Sequence, residues 1–140
     1  MKSSSFSISQ TIDVTPTEAW EIIGAVSGVD QWLGPITGCK VEGSKRTCTT
    51  EEGSFEEDIH DVDHDNKILS YGIPRQHMIP VQNIEGQMKV LSGADQKATI
   101  QWSWDFEVEE SNELQAKEAL QMVGSMGISG IESLIKQKVA

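Results

Sequence analysis

The chain has 140 residues, of which 22 are acidic and 11 are basic, so its formal net charge is −11. This length suits one domain that buries a core without disulfide or metal support. The acidic balance argues against nucleic acid or an anionic membrane as a partner, because both reward clusters of lysine and arginine. The chain shows neither a signal peptide nor an apolar run that could span a membrane, so we expect a cytoplasmic location.

The first predicted element is a β-strand from Phe6 to Val14, in which apolar and polar residues alternate. Gln10 falls in the apolar phase of this strand. One interpretation is a strand-end or hydrogen-bonded core amide, which we favour. The other is a polar group directed into a cavity.

Two short helices are predicted after this strand. Residues 15–18 read Thr-Pro-Thr-Glu, which combines an N-cap, a proline suited to the first helical position and a capping box. The helix should run to about Val26, and a second short helix should occupy residues 29–33. This helix–turn–helix corner does not indicate DNA binding, because the segment carries no lysine or arginine.

A β-hairpin is predicted from residues 36–42 and 45–50 around a Gly-Ser turn. A two-residue loop would place Cys39 directly opposite Cys48, so a cross-strand disulfide is geometrically feasible. We favour two reduced thiols, as in other cytosolic proteins. The sequence has no CxxC pair and no nearby histidine at metal-binding spacing, so no zinc site is predicted.

The next predicted strand covers residues 55–62 and carries Glu57 in phase with Phe55 and Ile59. An inward-facing carboxylate is either a functional residue of a cavity or a structural acid that needs a partner. Arg46 on the preceding strand is the candidate partner. We favour structural pairing, and a cavity role is the alternative.

A possible calcium loop follows this strand. Asp61, Asp63 and Asp65 match the first three ligand positions of an EF-hand loop. The twelfth position is Gly72 rather than glutamate, and the flanking segments are strands. We therefore predict a hairpin turn with an acidic face, and no metal site.

Two further strands are predicted over residues 67–73 and 81–91, joined by a loop over residues 74–80 that has proline at both ends. His77 in this loop is either a ligand contact or simply solvated. Met78 is an apolar side chain at the tip of the loop, where it could close over a cavity mouth.

Residues 98–108 alternate apolar and polar side chains without exception, which predicts a half-buried antiparallel strand. Its inner row includes Trp102 and Trp104, two of the four tryptophans in the chain. Such a broad aromatic face needs a large partner, and the helix predicted over residues 112–138 is the one that the sequence offers.

The final helix carries Gly124, Gly127 and Gly130 at intervals of three residues. Each glycine costs about 1 kcal/mol relative to alanine in a helix interior. The glycines indicate either a close approach of helix and sheet or space left for a ligand, with Met122 and Met126 as adaptable lining. The two interpretations are compatible.

Taken in order, these elements give the pattern β-α-α-β-β-β-β-β-β-α. Several stretches in order are similar to one known family: residues 14–20, 31–36, 43–47, Gly53 followed by Glu57, 69–73, 79–81 and 98–102. Through them essentially the whole chain resembles the START-like, SRPBCC superfamily, in particular its polyketide cyclase/dehydrase and lipid-transport-like branch. The resemblance implies an α+β helix-grip fold, in which a curved seven-stranded antiparallel sheet wraps around a long C-terminal α-helix.

The resemblance also implies an apolar cavity between sheet and helix. Relatives bind lipids, sterols, plant hormones or polyketides there, and a minority catalyse cyclase or hydrolase reactions. The loops over residues 51–54 and 75–79 would flank the cavity entrance. The candidate cavity residues are Gln10, Trp32, Arg46, Glu57, Tyr71, His77, Met78, Val81, Met88, Trp102, Trp104, Met122, Met126 and Gly127.

Three functions fit these observations. The preferred one is binding, for transport or sensing, of a small hydrophobic or amphipathic ligand, without a cofactor. The second is a cyclase or dehydratase in which Glu57, with Arg46, Tyr71 or His77, does acid–base work, although the sequence shows no nucleophile–base pair or phosphate loop. The third is a protein-interaction module with a filled core, for which the negative charge would attract a basic partner.

Overall fold

The computed structural model describes residues 1–138 and confirms the predicted helix-grip arrangement. One antiparallel sheet has the strand order β1-β7-β6-β5-β4-β3-β2, so the first and last strands of the chain are neighbours. The strands are β1 (Lys2–Ile12), β2 (Gly38–Glu42), β3 (Lys45–Thr50), β4 (Gly53–Asp63), β5 (Ile68–Ile73), β6 (Val81–Ser92) and β7 (Ala98–Val108). The helices are α1 (Pro16–Ile23) and α2 (Glu113–Lys138).

The connection from β1 to β2 holds one α-helix, where the sequence predicted two. The predicted capping box is present, since the Thr15 hydroxyl accepts from the Glu18 amide and the Glu18 carboxylate accepts from the Thr15 amide. Helix α1 ends at Ile23 rather than near Val26, because Val26 adopts a left-handed backbone with φ of 68°. The predicted second helix is only a three-residue 3₁₀ turn, Val29–Gln31.

The β2–β3 hairpin has the predicted register, with Cys39 opposite Cys48 and Glu42 opposite Lys45. Both cysteines are free thiols. Strand β2 starts two residues later than predicted, because the Ile36 amide donates to the Leu33 carbonyl in a turn.

The core lies between the inner face of the sheet and α2. Strand β7 alternates as predicted, and its inner row from Ala98 to Val108 is buried at every position. Helix α2 presents Leu120, Ile128 and Ile131 to this face, and all three are buried. Within residues 1–138, no helix combines the length and the apolar character needed to cross a bilayer.

The glycines of α2 bring the helix close to its neighbours. A Cβ atom built on Gly130 would lie 1.8 Å from the backbone oxygen of Trp32, and one on Gly124 would lie 2.3 Å from Cδ1 of Ile8. A Cβ on Gly127 would lie 2.8 Å from the ring of Trp102. The glycines therefore permit close packing, the first of the two predicted interpretations.

Candidate functional site

A cavity of about 380 Å³ lies between the inner face of the sheet and α2. Side chains from β3 to β7, from α2, from the segment before β2 and from the loop over residues 74–80 form its walls. Most of these side chains are aliphatic or aromatic. Both the volume and this lining are typical of a pocket for a small molecule.

Most of the predicted cavity residues line this space. They are Trp32, Arg46, Glu57, Tyr71, Met78, Met88, Trp102, Trp104 and Met122. They come from elements far apart in sequence, and the antiparallel register brings them onto one inner face. Arg46 and Glu57, for example, are directly opposite each other on β3 and β4.

The other predicted residues do not lie on the cavity wall. The space beside Gly127 is occupied by the rings of Trp102 and Trp32. Gln10 is a half-buried residue of β1, opposite Ile100. The remaining ones are Met126, which is exposed beside Gly34, and His77 and Val81, which line a separate depression outside the cavity.

Several other wall residues were not among those predicted from the sequence. Cys48 follows Arg46 by two positions on β3, and Ile84 precedes Met88 by four on β6, so strand alternation was the signal that could have found both. Ala119 and Val123 lie on α2, and no pattern in the helix distinguishes them from core positions.

A buried ion pair forms the polar centre of the cavity. Arg46 and Glu57 are each only 5% exposed, and Nε of Arg46 donates to Oε1 of Glu57 at 2.5 Å. The thiol of Cys48 donates to the same oxygen at 3.3 Å. Glu57 therefore has the structural pairing that the sequence favoured, and it also faces the cavity.

Arg46 also holds the loop that follows α1. Its Nη1 donates to the carbonyl oxygen of Val26 at 2.7 Å, at the residue with the left-handed backbone. Burial by itself lowers the pKa of Arg46, but the adjacent Glu57 carboxylate outweighs this effect, and the pKa is raised overall. The guanidinium thus stays charged and keeps both contacts.

Tyr71 is another buried polar group, and its ring lies against Gly86 of β6. A Cβ on Gly86 would be 2.3 Å from the tyrosine Cζ, so only glycine leaves room for the ring. The indole Nε1 of Trp102 donates to the Tyr71 hydroxyl at 2.9 Å. Burial, and then the nearby Glu57 carboxylate, raise the pKa of Tyr71, so the hydroxyl keeps its proton and can donate it in a hydrogen bond.

The Cys48 thiol is buried in the same wall. Burial, followed by the effect of Glu57, raises the pKa of Cys48 well above its usual range. A protonated thiol is a poor nucleophile and a poor metal ligand. Within residues 1–138, no group of three or more metal-binding side chains converges at one place.

Trp32 also bears on the chemistry of the cavity, because its N–H is buried without a partner among the described residues. The residue is 7% exposed and lines the cavity. Its ring packs edge-on against Trp102, with centroids 6.1 Å apart. Among the described residues, Nε1 of Trp32 has no hydrogen-bond acceptor.

Two exposed methionines lie on the wall near the surface. Met78, from the loop over residues 74–80, is 44% exposed, and Met122 on α2 is 66% exposed. The loop is fixed by Gln76, whose Nε2 donates to the carbonyls of Ile79 and Val81. Its Oε1 accepts from the amides of Met78 and Ile79, so the whole amide of Gln76 is used within the loop.

A sheet gripping one long helix, with an apolar cavity between them, defines the helix-grip class of proteins. Residues 3–135 match the family described as polyketide cyclase / dehydrase and lipid transport, and the chain belongs to this family. The predicted resemblance is therefore confirmed. A search of curated proteins gives no significant match.

Several solved structures share the fold. An uncharacterized protein from Bacillus thuringiensis has a TM-score of 0.85 and 19% sequence identity, over 94% of this chain and 98% of that chain. The protein XoxI from Bacillus cereus has a TM-score of 0.83 and 20% identity, over 100% and 99% of the two chains. A protein from Thermobifida fusca has a TM-score of 0.81 and 15% identity, over 95% and 93%. At these identities the similarity concerns the fold alone.

Proposed function

We propose that this chain binds a small hydrophobic or amphipathic ligand in the cavity between the sheet and α2, as a carrier or sensor. The observation that supports this most strongly is the cavity of about 380 Å³ with aliphatic and aromatic walls. Pockets with such walls and few polar groups are typical of sites for small apolar ligands. The family description also names lipid transport.

Native mass spectrometry of freshly purified protein is the first test, followed by organic extraction of the bound material. We expect a reproducible additional mass that disappears on denaturation. A protein that carries no additional mass and also takes up no added apolar probe would contradict the proposal.

A variant with a blocked cavity makes the test specific. Ala119 lines the cavity from α2, so the ring of an Ala119→Phe variant should occupy ligand space. We expect this variant to lose binding of the neutral fluorescent probe N-phenylnaphthylamine. The matched control is Ala94→Phe, at an exposed position in the 3₁₀ turn before β7 that does not line the cavity. Equal probe binding by both variants would place the probe elsewhere.

The enzyme hypothesis has one supporting observation, a carboxylate in the cavity wall. However, Oε1 of Glu57 is already shared by Arg46 and Cys48, and the Cys48 thiol is held protonated. If a cyclase or dehydratase reaction is detected, Glu57→Gln should abolish it; unchanged turnover would remove Glu57 from the mechanism. The interaction-module hypothesis required a filled core, and the cavity does not favour it.

A further inference from the structure

We propose that the ligand of this cavity is a neutral molecule with a hydrogen-bond acceptor oxygen, which Trp32 and Tyr71 bind. This inference rests on the proposed function, because it names the class of ligand for the same cavity. It depends on two features of the wall: the balance of its charges and the donors that it leaves unused.

The charges in the cavity wall cancel. Arg46 and Glu57 are each 5% exposed and are joined at 2.5 Å, so the positive charge is already matched. A carboxylate ligand would add a third, unmatched charge to a desolvated site that lies beside the Glu57 carboxylate. Burying an unpaired charge is costly, so this site selects against anions.

Trp32 supplies an unused donor. Its indole is 7% exposed and lines the cavity, and its Nε1 has no acceptor among the described residues. A buried donor without a partner costs free energy that an acceptor atom recovers. An oxygen on the ligand provides that acceptor, and a pure hydrocarbon does not.

Tyr71 supplies a second donor on the cavity wall. Its oxygen accepts from Trp102 at 2.9 Å, and among the described residues the structure records no acceptor for its own hydrogen. The ring centroids of Trp102 and Trp32 are 6.1 Å apart, so Trp102 contacts the side chains that carry both donors. The amide of Gln76, by contrast, is fully used within its loop.

Three probes of similar shape separate these contributions: benzophenone, which is neutral with a carbonyl; diphenylmethane, which has no oxygen; and diphenylacetate, which is anionic. Their affinities are measured by displacement of N-phenylnaphthylamine. We expect benzophenone to bind and diphenylacetate to bind at least roughly tenfold more weakly, because of its charge. Equal binding of benzophenone and diphenylacetate would overturn the charge argument. If the protein binds none of the three probes, the proposed function itself fails.

The role of Trp32 is tested by the affinity ratio of benzophenone to diphenylmethane, since the ratio removes the shared apolar contribution. We expect Trp32→Phe to lower this ratio roughly fivefold, which corresponds to the loss of one hydrogen bond to the ligand oxygen. The matched control is Trp20→Phe, because Trp20 is equally buried but bonds His64 and does not line the cavity. An unchanged ratio in Trp32→Phe, with both probes bound, overturns the inference while the proposed function stands.

A measurement on the unmodified protein guards against a variant that does not fold. The carbonyl stretching band of bound benzophenone should appear at lower wavenumber than in cyclohexane, because hydrogen bonding weakens the carbonyl bond. A band at its cyclohexane position would contradict a donor at the ligand oxygen, whatever the variants do.

Discussion

At the scale of single residues, the Arg46 side chain contacts three separate parts of the fold. It joins β3 to Glu57 on β4, to the carbonyl of Val26 after α1, and to the face of the Tyr71 ring, with its Cζ 5.6 Å from the ring centroid. A left-handed β-branched residue such as Val26 persists only where surrounding contacts impose it. Arg46 therefore couples the cavity wall to the fold of the adjacent loop.

We predict that Arg46→Met destabilises the protein by about 3–5 kcal/mol, because it leaves the buried Glu57 carboxylate without its partner. The double variant Arg46→Met with Glu57→Leu should recover most of this loss, since replacing both members of a buried pair is often close to neutral. Urea unfolding measures both. The control is Lys45→Met, whose pair with Asp58 is more exposed, so its loss should be much smaller than that of Arg46→Met. Similar losses for the two single variants would contradict a buried pair.

Glu113, at the start of α2, should make stability depend on pH. The Ser4 hydroxyl, and then Lys2, lower the pKa of Glu113 to about 2. Because the folded-state pKa lies below the unfolded value of about 4.5, the stabilisation is complete above pH 4.5 and is lost as the pH falls towards 2.

We therefore expect Glu113→Gln to be less stable than the unmodified protein at neutral pH, with a difference that disappears towards pH 2. Chemical unfolding at a series of pH values measures this. Glu118→Gln, at an exposed position of the same helix, is the control and should show no such trend. A difference between Glu113→Gln and the unmodified protein that grows on acidification would contradict the assigned direction.

At the scale of elements, the closeness of α2 to its neighbours determines the shape of the cavity. The helix contacts the backbone of Trp32 at Gly130 and the ring of Trp102 at Gly127. Nearer the start of the helix, Ala119 and Val123 face the cavity. Helix α2 therefore has two parts. The segment with the three glycines packs closely on its neighbours, and the segment nearer its start forms part of the cavity wall.

We predict that Gly130→Ala destabilises the protein, although alanine favours helix by about 1 kcal/mol over glycine. The added Cβ would lie 1.8 Å from the backbone oxygen of Trp32, and backbone cannot move aside as a flexible side chain does. The net loss should be about 1–3 kcal/mol, as for other overpacked sites. Thermal unfolding measures it, and Ser129→Ala, at the adjacent exposed position, should be neutral or slightly stabilising. A stabilised Gly130→Ala variant would contradict this contact.

Some of these elements could be predicted from the sequence and others could not, for physical reasons. Strand β7 and the β2–β3 register followed from local alternation and turn residues, which do not depend on the rest of the fold. The end of α1 did not, because the left-handed Val26 is bonded to Arg46, which lies on a strand 20 residues later. Gly127 could not be assigned either, because helical spacing does not reveal whether a glycine faces a ring or a void.

At the scale of the whole molecule, the cavity leaves part of the core without packing contacts. The space of about 380 Å³ lies against Trp102, Trp104 and Tyr71, which also belong to the hydrophobic core. A ligand that fills it adds contacts to both the sheet and α2. Binding and folding stability are therefore linked, because the unfolded chain has no cavity.

We predict that benzophenone at about a hundred times its dissociation constant raises the free energy of unfolding by roughly 2.7 kcal/mol. Urea unfolding with and without the ligand measures this. Ala119→Phe should show no such increase, because its added ring occupies the same space, whereas Ala94→Phe should behave as the unmodified protein does. If benzophenone stabilises Ala119→Phe as much as Ala94→Phe, the ligand binds outside the cavity. If calorimetry detects binding but urea unfolding shows no stabilisation, benzophenone must bind the unfolded chain equally well. A pocket that is assembled between sheet and helix does not allow this result.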